Sequence, residues 1–241
     1  MTRRRWIADT WNEARTTAAL TGDQAAHLAR VLRAQPGQIF DVVAGGFLHR
    51  AEVTSVREDE VTFALHEEHA ADAALPVHLL LAVFKFDHFE WGVEKATELG
   101  VARLTPVLAR RTEKHLAQAA AKRVERWRRI AHEASQQSRR SDVPAIDDPQ
   151  PLAAAIQTVD APLRILLAET EEENSLLAAL AAAASSQNVA LAIGPEGGWT
   201  AEEMQRFSAA QWQHVTLGPR ILRAETAAIS ALAIASAFLT S

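Results

Sequence analysis

The stretch Ala192-Ile193-Gly194-Pro195-Glu196-Gly197-Gly198-Trp199-Thr200 runs from an apolar strand through a glycine-rich turn into a helix. Residues 189–193 are continuously apolar, as a strand buried on both faces requires. Thr200 followed by Glu203 fits a capping box, so the turn ends at a helix N-terminus whose first backbone N–H groups lack intrahelical partners. The three glycines permit positive φ and a close approach to the main chain, while Pro195 stiffens the lead-in. No Gly-Lys-Ser/Thr follows and the spacing is not Gly-x-Gly-x-x-Gly, which disfavours both common nucleotide-phosphate loops.

Further along, Val215-Thr216-Leu217-Gly218-Pro219-Arg220-Ile221-Leu222-Arg223-Ala224-Glu225-Thr226-Ala227 repeats the design: a strand, a Gly-Pro turn, then an apolar helix to about residue 239. In open α/β sheets, ligands sit outside the carboxyl ends of the strands, so two such turns define one expected pocket. Ile221 and Leu222 are suited to sandwich a flat ring. Arg223 and Glu225 bring opposite charges to the same turn, either as a structural ion pair or as reactive groups.

Outward from these turns, buried-strand candidates recur at 77–83, 104–107, 163–168 and 214–217, with helical stretches between them. This alternation implies a parallel sheet covered on both faces. Residues 89–99 read as a helix ending at Gly100. Residues 116–138 read as one long helix, with Val124, Trp127, Ile130, Ala131 and Ala134 on its packed stripe and arginines elsewhere. The first part of the chain differs. A short helix over 24–34 stops at Pro36-Gly37 and is followed by strands at 38–44, 48–56 and 61–66. The polar, alanine-rich segment 67–75 separates the two parts, giving domains 1–73 and 74–241.

Of the 241 residues, 48% are apolar, enough for a sizeable core. There is no membrane-length apolar run and no secretory leader at the start, and cysteine is absent, which removes disulfides and thiolate chemistry and fits a cytoplasmic protein with no membrane partner. The nine histidines are scattered, and His66-x-x-His69 has no evident co-ligands, so no metal site is expected. The net charge of −5 is uneven, because residues 103–140 hold eleven Lys and Arg against three acidic residues. That segment is either a solvated helix face or a surface for phosphates.

Several further motifs converge. These are His27-Leu28 with Val31-Leu32-Arg33, Lys95-Ala96-Thr97-Glu98-Leu99-Gly100-Val101, Glu133-Ala134 with Gln137-Ser138, Arg140, Pro144, and the two Gly-Pro turns. Together they resemble the RsmE family of 16S ribosomal RNA uridine-N3 methyltransferases, within the SPOUT class. The resemblance implies an α/β protein: a C-terminal SPOUT-type parallel-sheet domain with a trefoil knot, preceded by a small PUA-like β-barrel that binds RNA. General topology rules disfavour knots, so that expectation rests on the resemblance alone. A homodimer is implied too, with S-adenosyl-L-methionine as cofactor and 16S ribosomal RNA or the small ribosomal subunit as partner.

By the same likeness the cofactor contacts Ala168, Ile193, Gly194, Pro195, Glu196, Gly197, Gly198, Leu217, Gly218, Ile221 and Leu222. Arg223 and Glu225 are the catalytic candidates, Arg223 stabilising a uridine anion and Glu225 orienting it or accepting the proton. Arg3, Arg4, Arg5, Arg33, Lys95, Arg111, Arg126, Arg128, Arg129 and Arg140 are the candidate RNA contacts. The chain departs from the family at Phe86-Asp87-His88, after Lys85, and at Arg139, a position commonly glycine. Two rival functions are a non-catalytic RNA-binding protein and a methyltransferase of this class with another RNA target.

Overall fold

The computed structural model describes residues 5–70, 73–182 and 188–240; Arg3 and Arg4 lie outside them. The chain divides into two compact units, Met1–Ala73 with Ser135–Asp142, and Ala74–Ala134 with Val143–Ser241. Ser135–Asp142 thus joins the first unit although the sequence places it in the second domain. Gln136 explains this locally: its side-chain amide donates to Gln24, and its carbonyl accepts from the Arg5 amide at 3.3 Å.

The first unit is one six-stranded sheet. Its strands are β1 (Trp6–Ile7), β2 (Thr10–Trp11), β3 (Thr17–Thr21), β4 (Ile39–Ala44), β5 (Phe47–Val56) and β6 (Glu60–His69), in the order β1-β4-β5-β6-β3-β2. The two outer strands are nearly consecutive in the chain. Between them, Ala8 donates to the Val43 carbonyl at 2.9 Å and Asp9 to the Ala19 carbonyl at 3.0 Å. One short segment therefore holds both sheet edges, curling the sheet into a barrel and removing its free edges. Trp6, Leu20, Leu28, Val42, Val53, Val61 and Phe63 fill the interior. The helix expected over 24–34 is a single α-turn, α1 (Gly22–Ala26), continued by a π-helical turn over His27–Val31.

The second unit holds a seven-stranded parallel sheet. Its strands are β7 (Leu75–Ala82), β8 (Val101–Leu108), β9 (Ala145–Ile146), β10 (Gln150–Pro151), β11 (Leu163–Leu167), β12 (Val189–Ile193) and β13 (Gln213–Val215). They run β10-β8-β7-β12-β11-β13, with β9 also paired to β8. The helices are α2 (Phe86–Glu98), α3 (Lys114–Ala120), α4 (Val124–Gln137), α5 (Leu152–Gln157), α6 (Leu176–Ala182), α7 (Ala201–Ala209) and α8 (Ala224–Leu239).

Alternation along β12 sorts its side chains onto two faces. Val189, Leu191 and Ile193 join the core beneath α2, α4, α6 and α8, whereas Ala190 and Ala192 face the core that includes Trp199, Phe207 and Trp212. Alanines on that face leave room for the large rings. The single helix expected over 116–138 is two helices broken at 121–123, and Val124, Trp127, Ala131 and Ala134 are buried as the apolar stripe requires.

Candidate functional site

The carboxyl ends of β7, β11, β12 and β13 open onto a cavity of about 1050 Å³. That volume is at the upper end of the range for small-molecule sites. Every residue that the sequence assigns to cofactor binding lines it, together with Lys85, His88, Arg111, Trp199, Arg220 and Arg223.

The first turn is built by its own hydrogen bonds. The Gly198 amide donates to the Pro195 carbonyl at 2.8 Å, and Gly198 has φ of +68°. The helix after it begins in the anticipated capping box. The Glu203 amide donates to the Thr200 hydroxyl at 3.3 Å, and the Thr200 amide donates to Glu203 Oε2 at 2.9 Å. Such a cap contributes about 1 kcal/mol. Glu203 is buried, and its other oxygen accepts from the Arg110 amide at 2.7 Å, while the Arg111 guanidinium donates to the Gly197 carbonyl. The loop after β8 is thereby fixed to the glycine turn, and Arg111 belongs to the cavity wall rather than to an outer basic face.

The glycines have different reasons to be small. A Cβ on Gly194 would stand 3.1 Å from Trp199 Nε1, and one on Gly197 would stand 3.3 Å from Arg111 Cδ. Of the three glycines in this turn, only Gly198 uses positive φ. In the second turn, Gly218 has φ of +112°, and its amide donates to the Thr216 hydroxyl at 3.1 Å. Thr216 is tied to the loop after β11: its amide donates to the Asn174 carbonyl at 2.8 Å, and its carbonyl accepts from the Leu176 amide at 3.1 Å.

Charge divides the rim. Glu169, Glu171, Glu172 and Glu196 stand against Lys85, Arg111, Arg220 and Arg223. Backbone N–H donors from Asn174 and Glu173 hold the Glu171 carboxyl below its ordinary pKa. Arg223 is exposed at the N-cap of α8. Glu225 does not pair with it. Its carboxylate is 3% exposed, and Oε1 lies 2.8 Å from His88 Nδ1 at the start of α2. Of the alternatives the sequence left open, the structural Arg223–Glu225 ion pair is not formed; Glu225 pairs with His88 instead, because the first turn of α8 directs it toward α2, on which α8 packs. Only the departure at Asp87-His88 marked this partner in the sequence.

The other cationic candidates have varied surroundings. Arg33 and Arg129 are exposed. Arg126 pairs with Glu90 at 2.8 Å, and Arg128 with Glu125 at 2.6 Å and Asp148 at 3.0 Å. Lys95 lies between Glu94 at 2.8 Å and Glu98 at 2.7 Å, and these two carboxylates raise its pKa. Arg5 donates to the Arg139 carbonyl and, at 3.2 Å, to the Ser141 hydroxyl. Arg140 is 8% exposed and pairs with Asp142, its Nε donating at 3.1 Å, so it is turned inward, away from the phosphate contact expected of it. His66 and His69 are exposed, with Glu52 and Glu67 beside them.

Comparison with known proteins places this geometry in context. A family model for an RNA methyltransferase domain matches residues 71–236, and one for an RNA methyltransferase PUA domain matches residues 20–65. Ribosomal RNA small subunit methyltransferase E of Synechocystis sp. is 36% identical over 228 residues, covering 93% of this chain and 74% of that protein. The protein of the same name in Bacillus subtilis is 33% identical over 229 residues, covering 91% and 90%. The crystal structure of ribosomal RNA small subunit methyltransferase E from Neisseria gonorrhoeae bound to S-adenosyl methionine has a TM-score of 0.83 at 28% identity, covering 96% of this chain and 95% of that one.

Proposed function

The chain belongs to the ribosomal RNA small subunit methyltransferase E family, and from that premise we propose that it methylates N3 of a uridine in 16S ribosomal RNA, using S-adenosyl-L-methionine. The fold is of the SPOUT type with a PUA-like barrel before it. The observation that carries the reading is the meeting of two Gly-Pro turns, at the ends of β12 and β13, around one cavity of about 1050 Å³.

The lining fits this cofactor. Main-chain groups of the turn from Gly194 to Gly198 suit hydrogen bonding to an adenosyl group, Ile193, Leu217 and Leu222 offer apolar contact, and the glutamates of the rim suit hydroxyl and cationic groups. When bound, S-adenosyl-L-methionine supplies an electrophilic methyl group whose sulfur leaves uncharged, so the protein's main task is alignment. Uracil N3 carries a proton and becomes a good nucleophile only as that proton leaves. Arg223 is positioned at the rim to stabilise the resulting uridine anion through a uracil oxygen. The target base must be unpaired or flipped to present N3.

Arg5, Arg33, Arg126, Arg128 and Arg129 are the phosphate contacts of this reading, and Arg3 and Arg4, outside the described residues, keep the same role. We take the active species to be a homodimer. Ile221, 84% exposed at the rim of the cavity, supports a partner covering this edge, and sedimentation at twice the chain mass is the check. No helix among the described residues is long and apolar enough to cross a membrane, and the ribosomal substrate fits a cytoplasmic location.

Calorimetry with S-adenosyl-L-methionine tests the reading, on the wild type and on Gly197→Val. Saturable binding by the wild type and its loss in the variant are expected, followed by mapping of N3-methyluridine in small-subunit RNA. A wild type that binds no cofactor, alone or with RNA, would favour the non-catalytic RNA binder.

A further inference from the structure

We propose that His88 is the base that removes the uracil N3 proton and that Glu225 is the residue that positions it, an inference that rests on the methyl-transfer reading. His88 lines the cofactor cavity from the first turn of α2, the helix that follows β7. Its side chain is 31% exposed, and Nδ1 lies 2.8 Å from Glu225 Oε1. Glu225 is buried in the first turn of α8, where negative charge meets the positive end of the helix dipole. Its second oxygen, Oε2, is buried and has no hydrogen-bond partner. The imidazole therefore meets one oxygen of this buried carboxylate and is the side chain that partners it.

The tautomer follows from elementary chemistry. An ionised carboxylate only accepts, so Nδ1 must carry the hydrogen, and a neutral ring then keeps an acceptor lone pair on Nε2. A buried carboxylate that fixes the tautomer of an imidazole and stabilises its protonated form is the arrangement that lets histidine act as a general base. The charged groups around the ring are Glu225 on α8, Asp87 on α2, whose Oδ2 is 3.7 Å from Nε2, and Lys85 and Arg223 on the cavity lining. Asp87 is solvent-exposed and beyond hydrogen-bond reach, which leaves Nε2 open to a substrate.

In the proposed step, the N3–H proton passes to His88 Nε2, and the electron pair left on N3 forms the bond to the methyl carbon. The carbon–sulfur pair stays with the departing sulfur. The imidazolium, held by Glu225, then returns its proton to solvent. Arg223 and His88 divide the work, one stabilising the anion and the other taking the proton.

The test uses the full-length protein with unmodified small ribosomal subunits and S-adenosyl-L-methionine. Imidazole nitrogen NMR should find the Nδ1–H tautomer at His88 in the wild type and a shift toward Nε2–H in Glu225→Gln. Single-turnover methylation should fall roughly 100- to 10,000-fold in both His88→Gln and His88→Arg, and the rising limb of the pH–rate profile should disappear. Added imidazole should restore part of the rate in His88→Gly. Cofactor affinity should stay within about twofold of wild type in the three His88 variants, since the transition state and not the bound cofactor loses a partner. Wild-type turnover in His88→Arg would mean the ring serves only as a cation, and an Nε2–H tautomer in the wild type would remove the acceptor; either overturns the proposal. Failure of the wild type to bind cofactor would strike the methyl-transfer reading instead.

Discussion

Arg223 stands at the head of α8 with its side chain exposed, and no described side chain pairs with it. A guanidinium that is not neutralised locally is available to a developing negative charge, and removing one such donor from a reaction site typically slows turnover by about 100- to 1,000-fold. Arg223→Ala should therefore lower kcat on that order while cofactor affinity, read by calorimetry, stays the same. Normal kcat with unchanged RNA affinity would make the assignment wrong. Legibility at this scale was uneven. The need for glycine at 194, 197 and 198 was readable, yet its reasons were not: Trp199 and Arg111 crowd the first two, and only the third is left-handed. Arg139, where the sequence resemblance leads one to expect glycine, has φ of +64°, a conformation that costs an arginine and not a glycine.

Among the elements, the capping box of α7 and the apolar stripe of α4 were legible because both depend on spacing within one or two helical turns. The break at 121–123 was not, since good helix formers surround it and the i→i+3 bonds from the Lys122 and Arg123 amides to Ala119 and Ala120 carry no signal in the local sequence. The charged side of α4 is less free than its composition suggests. Arg126 shares Glu90 with Arg123, and Arg128 spans Glu125 and Asp148. The pairs of Arg128 are exposed, individually weak and yield to phosphates at low cost, whereas Glu90 is 12% exposed and holds its two arginines more firmly. Neutralising Arg126, Arg128 and Arg129 together should weaken RNA binding and reduce the slope of log affinity against log salt by about one per lost contact. Arg129, exposed and with no ion pair among the described residues, should account for at least as much as either neighbour. An unchanged slope in filter binding would remove this face from the interface.

Across the second unit as a whole, a polar cluster crosses from β7 to β8 and on to the segment after β9. Arg103 Nε donates to Asp147 Oδ2 at 2.8 Å, and the Thr105 hydroxyl donates to the same oxygen. With that hydroxyl hydrogen committed, His78 Nε2–H donates to Thr105 Oγ1 at 2.7 Å. Burial, reinforced by the Arg103 charge and opposed by Asp147, lowers the His78 pKa to about 4. The folded-state value lies below the ordinary 6.5, so between the two the unfolded chain binds a proton that the folded chain does not. Stability should hold above 6.5, fall by on the order of 3 kcal/mol as pH drops to 4, and lose little further to this group below that. Urea unfolding at several pH values should find this slope reduced in His78→Gln. An equal slope in the variant would assign the acid sensitivity to other groups.

The sequence by itself determined the strand–helix alternation of the second unit and both Gly-Pro turns with the part of the cavity wall they supply, because each is written in neighbouring residues. Tertiary structure alone decided what depends on distant partners. The barrel closes because residues 6–11 hold two edges at once, and Ser135–Asp142 joins the first unit through Gln24 and Arg5. Glu225 meets His88, 137 residues away, rather than its near neighbour Arg223. Local propensity and periodicity specify elements, but which buried carboxylate faces which ring is set by how α8 packs on α2, and no spacing within either helix encodes it.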